Sequence, residues 1–183
     1  MGGMWLKLPS EAFYKELYQK KYILMQYNFV QFFAEHLADC SRTFGGDLQM
    51  MLILAILGQR RLDARIQRGF LEVGPAPADI VPLKAKGMNS SSIAEISGIP
   101  RETVRRKLDA LAERGWVARD EHGRWRVAIV VTDASELTGL NGRQMDRVAR
   151  FLANTQRIAF EVAEGGAVER PSRITEAESP RED

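Results

Sequence analysis

The chain holds one cysteine, Cys40, and two histidines in 183 residues. A lone thiol cannot close an internal disulfide, and so few soft ligands exclude a dedicated zinc site of the Cys/His kind. No apolar run nears the roughly 20 residues needed to cross a bilayer. Residues 22–34 are uncharged, but the stretch is short and interrupted by Gln26, Asn28 and Gln31. The first residues lack a basic region followed by an apolar run and a small-residue cleavage site, so no secretory signal is expected. Phosphate-loop and dinucleotide-type glycine patterns are absent too. His36, Asp39 and Cys40 fall within one helical turn, yet three ligands at most would result, and a buried apolar thiol is the commoner state of a single cysteine. With no catalytic constellation in view, the expectation is a cytoplasmic protein without enzymatic activity, cofactor or membrane partner.

Charge of one sign is also scarce, since 26 Lys/Arg face 24 Asp/Glu. The balance is uneven along the chain, however. Residues 1–83 carry nine cations against eight anions, residues 84–126 ten against six, and residues 127–183 seven against ten. A basic middle between a neutral front and an acidic end points to a polyanionic partner for the middle alone.

Apolar periodicity divides the chain into five regions. Residues 1–73 read as a helical dimerisation region. Within Ser10 to Cys40, Tyr22, Met25, Phe29 and Phe32 form one stripe and Ile23, Tyr27, Val30, Ala34 and Leu37 another, together wider than the arc an ordinary surface helix buries. A second copy of the chain is the simplest cover for the excess. Gly45-Gly46 breaks the chain, and Asp47 is placed to cap a helix through Leu57, with Arg60, Arg61, Arg65 and Arg68 on a weaker helical stretch beyond. Residues 74–89, punctuated by Pro75, Pro77, Pro82 and Gly87, read as a linker loop. Residues 90–133 form a compact centre, and 134–164 a C-terminal dimerisation region, read as helical from Asn141 to Glu164 behind an Asn141/Gln144 capping pair. There Met145, Val148, Leu152, Thr155, Ala159 and Val162 recur at three-four spacing, a seam for another helix in the same chain or across a dimer. Residues 165–183 are polar and expected to be a disordered tail.

The centre carries the specific signal. Ser92 and Glu95 make a capping box that opens a short helix, Gly98 supplies a tight turn, and Pro100 starts a second helix at 101–114, ended by Gly115. Ala94 must be small where the second helix crosses. This is the spacing of a helix-turn-helix. With Val104 as the inward direction and 100° per residue, Leu108 and Leu111 fall beside it. Glu102, Thr103, Arg105 and Arg106 then face outward, with Arg101 at the helix start. Guanidinium forks suit guanine edges and phosphates, and Thr103 can meet either. Two β-prone runs, Trp116 to Arg119 and Arg124 to Val131, flank a polar turn and read as a hairpin with His122 and Arg124 at its tip. The fold class expected is mainly α with a small β-hairpin wing: a winged helix-turn-helix flanked by dimerisation helices.

The segment from Ser92 to Val117 resembles the DNA-binding part of bacterial winged helix-turn-helix transcription regulators. Gly98-Ile99-Pro100-Arg101 before the second helix and Gly123-Arg124-Trp125-Arg126 in the wing are similar to the IclR family, whose large C-terminal effector domain is not expected within these 183 residues. The plan of helices before and after the winged helix resembles the MarR family, although its usual Asp-Arg wing pair is replaced by Gly123-Arg124. The resemblance implies a homodimeric, sequence-specific regulator bound to double-stranded DNA, with helix 101–114 in the major groove and wing 120–126 on the adjacent backbone or minor groove. The expected DNA contacts are Lys86, Ser92, Arg101, Glu102, Thr103, Arg105, Arg106, Lys107, His122 and Arg124, with Lys84 adding to phosphate attraction. The expected dimer contacts are Tyr22, Met25, Phe29, Phe32, Val148, Leu152 and Ala159. The MarR likeness also implies a small aromatic effector, which Tyr18, Tyr22, Phe29, Phe32 and Phe33 would line; plain core or dimer packing explains the same rings. A winged helix that binds protein rather than DNA is the competing function.

Overall fold

The computed structural model describes residues 9–67, 87–128 and 135–164. In chain order these form α1 (Glu11–Lys20), α2 (Tyr22–Thr43), α3 (Leu48–Ile66), α4 (Ser90–Ser97), α5 (Arg101–Glu113), β1 (Val117–Arg119), β2 (Trp125–Val127) and α6 (Ser135–Glu164). The architecture is a mostly helical chain with an antiparallel hairpin directly after a helix-turn-helix, as a winged helix requires. Lys84, Lys86, Arg68, the outer part of the second β-prone run and the tail expected at 165–183 lie outside the described residues.

Two compact units divide the chain, residues 37–144 and residues 1–36 with 145–183, so that the boundaries fall inside α2 and α6. The winged helix is thus larger than the 90–133 read from sequence. Its core joins Ile93, Ile99, Val104, Leu108, Leu111, Trp116, Val117 and Trp125 to Cys40, Phe44, Met50, Ile53 and Leu57 before it and Leu137 and Leu140 after it. Phe44 meets the Trp116 ring edge-on at 5.5 Å. Helix α3, read from sequence as part of the front, is therefore the first helix of the winged fold.

Local chemistry sets the ends of these helices. Gly45 and Gly46 adopt φ of 61° and 85°, and Asp47 then caps α3 by accepting from the Met50 amide at 3.0 Å. The stretches read as ending at Leu57 and continuing weakly beyond are one helix through Ile66. Helix α4 starts two residues before the expected Ser92. Asn89 is its cap, accepting from the Ser92 amide at 2.7 Å. Helix α6 likewise starts at Ser135, upstream of the Asn141/Gln144 pair, because burial of Leu137 and Leu140 holds an extra turn in helical form.

In the other unit, the single helix read over 10–40 is two. Ser10 caps α1 through the Phe13 amide, and Lys21 leaves helical geometry at φ −119°. That break lets Leu17 join Met25 and Ile158 in a small cluster with Tyr14, Tyr18, Ala159 and Val162 beside it. The seam between α2 and α6 is polar: Asn28 donates to Thr155 Oγ1 and to the Phe151 carbonyl, each at 3.1 Å, and accepts from Asn154 at 3.2 Å. Arg150 reaches Glu35 beside it. Large apolar side chains point outward instead, among them Tyr22, Tyr27, Phe29, Phe33, Leu152 and Ile23, the last 81% exposed. Met25, expected at a dimer interface, is spent on its own chain's cluster at 5% exposure, and Ala159 packs beside it. Phe32 is half-buried, with its ring 5.3 Å from Phe151; Val148 is half-buried as well.

Candidate nucleic-acid interface

Helix α5 is held from below. Val104, Leu108 and Leu111 are fully buried at consecutive turns, so the 3.6-residue period leaves Arg101, Glu102, Arg105, Arg106, Asp109 and Glu113 exposed on the other side. The turn before it needs a left-handed residue. Gly98 supplies φ 69° and returns its amide to the Ala94 carbonyl at 2.9 Å, while the Ile99 amide donates to Ser97 Oγ at 3.2 Å. Pro100 then enters α5 with φ −54°, already helical in that angle. At the far end the Trp116 amide bonds the Leu111 carbonyl and the Gly115 amide that of Ala112, with Gly115 at φ 71°. This Schellman ending satisfies two orphan carbonyls and drives Trp116 into the core under the helix.

The outward cations differ in what they have to offer. Arg105 lies 3.1 Å from Glu102 one turn back, an exposed pair of little energy. Lys107 faces inward and pairs with Asp47, the cap of α3, with both side chains largely buried. Burial pushes the Asp47 carboxyl up, but the Lys107 hydrogen bond, the Met50 amide and the charges of Lys107 and Arg106 hold it below the ordinary carboxylate value. Lys107, expected on phosphate, thus ties α5 to α3. Arg101 and Arg106 carry no ion pair among the described residues and stand free for a ligand. Thr103 is half-buried beside them, and Ser92 is half-buried on α4, its amide taken by Asn89.

The wing is pinned by one carboxylate that sequence reasoning passed over. Asp120 Oδ1 accepts the His122 and Arg124 amides, both at 2.9 Å, and its Oδ2 accepts Arg124 Nε at 3.0 Å and the Gly87 amide at 3.3 Å. Burial raises its pKa, yet these donors outweigh burial and lower it to about 2. Val117 pairs with Val127, Ala118 with Arg126 and Arg119 with Trp125. A third piece of chain joins the hairpin: Met88, read as loop, exchanges both backbone hydrogen bonds with Trp125 at 2.8 Å. The Arg119 guanidinium sits 4.2 Å from the centre of the Trp125 ring. His122 and Arg126 are exposed, whereas Arg124 is half-buried against Asp120. Arg126 is an outward wing cation that sequence reasoning left out; its place opposite Ala118, with the Trp125 neighbour turned inward, is the alternation that marks it.

Elsewhere, Asp39 is engaged by Arg143 at 2.8 Å and Arg42 at 3.6 Å, and Cys40 is buried in the apolar core. Among the described residues no three or more metal-capable side chains gather, and no helix is long and apolar enough to cross a membrane.

A helix-turn-helix followed by a wing is an arrangement found in DNA-binding transcription regulators. A family model described as the IclR helix-turn-helix domain matches residues 84–121, which takes in α4, α5, β1 and Met88. No curated protein and no solved structure matches the chain. The match supports a bacterial DNA-binding regulator; the flanking helices lie outside it.

Proposed function

We propose that the protein is a homodimeric, sequence-specific DNA-binding transcription regulator. Helix α5 enters the major groove, and the wing at 120–126 rests on the adjacent backbone or minor groove. The observation that carries this reading is α5 itself, whose three inward residues are fully buried while Arg101 and Arg106 stand exposed, with no ion pair among the described residues. Phosphate attraction comes chiefly from Arg101, Arg106 and Arg126, since Lys107 and Arg124 are already held by carboxylates. The outward rings of α2, with Leu152 of α6, are assigned to the interface between copies in preference to an effector pocket; this MarR-like plan places two recognition helices on an inverted repeat with half-sites about one helical turn apart.

Fluorescence anisotropy with a random-sequence duplex at low and moderate salt tests the reading. Binding that weakens steeply with salt is expected. In sites selected from random duplexes, Arg106→Ala should cost roughly 1–3 kcal/mol and relax base preference. Unchanged discrimination at fixed salt would remove Arg106 from the reading face. One observation favours a second function, a protein-binding winged helix: Glu102, Asp109 and Glu113 share the exposed face of α5 with the arginines. Failure to bind duplex at low salt would select it.

A further inference from the structure

Arg124 sits where a wing cation would meet a duplex, but the wing gives it an internal partner. Its Nε lies 3.0 Å from Asp120 Oδ2, and its side chain is 29% exposed where that of His122 is 63%. The Asp120 carboxylate is fixed in turn by the His122, Arg124 and Gly87 amides, so the pair is built into the turn and not formed by two wandering side chains. Binding to DNA in salt is driven by counterions released when protein cations neutralise phosphates. A guanidinium already neutralised by a fixed carboxylate adds little to that release.

We propose that Asp120 is a specificity-determining positioning residue. It withholds the Arg124 charge from the phosphate backbone, which weakens generic attraction of the wing to any duplex and leaves discrimination to α5. This deepens the DNA-binding reading and rests on it. Asn in place of Asp120 keeps an oxygen for the His122 and Arg124 amides but turns an NH2 donor toward Arg124 Nε and the Gly87 amide, so tryptophan fluorescence first checks that the variant wing is folded. In the full chain, Asp120→Asn is expected to bind a random-sequence duplex more tightly. The slope of log affinity against log salt should steepen by about 0.9, the increment of one added phosphate contact. The ratio of affinities for selected sites over random duplex should fall. Arg124→Ala alone should leave the random-duplex slope unchanged, and the double variant Asp120→Asn/Arg124→Ala should return it to that of the unaltered chain. A purely structural Asp120 predicts the opposite sign, weaker binding in Asp120→Asn, and that result overturns the proposal. So does a slope shallower by about 0.9 in Arg124→Ala, which would show the guanidinium already on phosphate. The second outcome stands even where Asp120→Asn fails to fold. Absence of duplex binding by the unaltered chain would overturn the underlying reading as well, and it is recognised before any substitution is made.

Discussion

At the scale of single residues, Gly87 and Asp120 shape the wing more than its cations do. A Cβ on Gly87 would stand 2.8 Å from Arg124 Cβ and 2.9 Å from the Arg124 carbonyl carbon and oxygen, so backbone must move to admit it. Gly87→Ala is therefore expected to lose roughly 1–3 kcal/mol of stability, the range for overpacking, and to unseat the Met88–Trp125 pairing; denaturant unfolding and tryptophan fluorescence check both. Asp120 has a folded pKa of about 2, against about 3.9 in an unfolded chain. Its ionised form is the one the fold prefers, so its contribution is complete above about pH 4 and is lost as pH falls toward about 2. Tryptophan emission should report loosening of the wing across that window, and Asp120→Asn should lack that component. Little of this was legible in the sequence. An aspartate before Glu-His-Gly reads as turn chemistry, but its bond to an amide 33 residues upstream depends on the Met88 strand, which a glycine- and proline-rich context disguised. The facing of Arg106, by contrast, followed directly from Val104, Leu108 and Leu111.

At the scale of elements, helix α5 is legible because its burial follows one clean period, whereas helix ends were not. Asn89 precedes three serines, any of which can cap, and only the fold selects among them. At α6 the Asn141 signal was overridden by buried Leu137 and Leu140. The coupling of α5 to α3 was hidden for another reason: Lys107 reads as one more outward cation until Asp47 is brought beneath it. Asp47→Ala removes both a helix cap and that ion pair, and should cost about 1–2 kcal/mol. Lys107→Ala leaves the cap in place and should cost less. A double-mutant cycle by urea unfolding measures the difference; zero coupling would mean that the pair contributes nothing to holding the two helices together.

At the scale of the whole molecule, the winged helix explains itself and the remaining unit does not. The doubled apolar stripe of α2 was visible in the sequence and led to a second copy. What the sequence hid was which side of α2 would face inward, since a hydrophobic count ignores Asn28 and its partner Asn154. Equilibrium sedimentation at micromolar concentration is expected to give twice the 20.6 kDa chain mass. Ile23→Asp or Phe29→Asp on the outward face should shift it toward a single chain, with the winged-helix tryptophans unaffected. A single-chain mass for the unaltered protein would overturn dimerisation.

Beside its small apolar cluster, that unit encloses an amide seam between α2 and α6 and leaves several rings to the solvent. Such a surface has no comfortable solitary life in water. On the proposed assembly, abundance itself becomes a control knob: scarce copies stay single and grip DNA with one hand, and only past a pairing threshold does the two-handed hold appear. Expression level would then be converted into a sharpened response without any small-molecule signal.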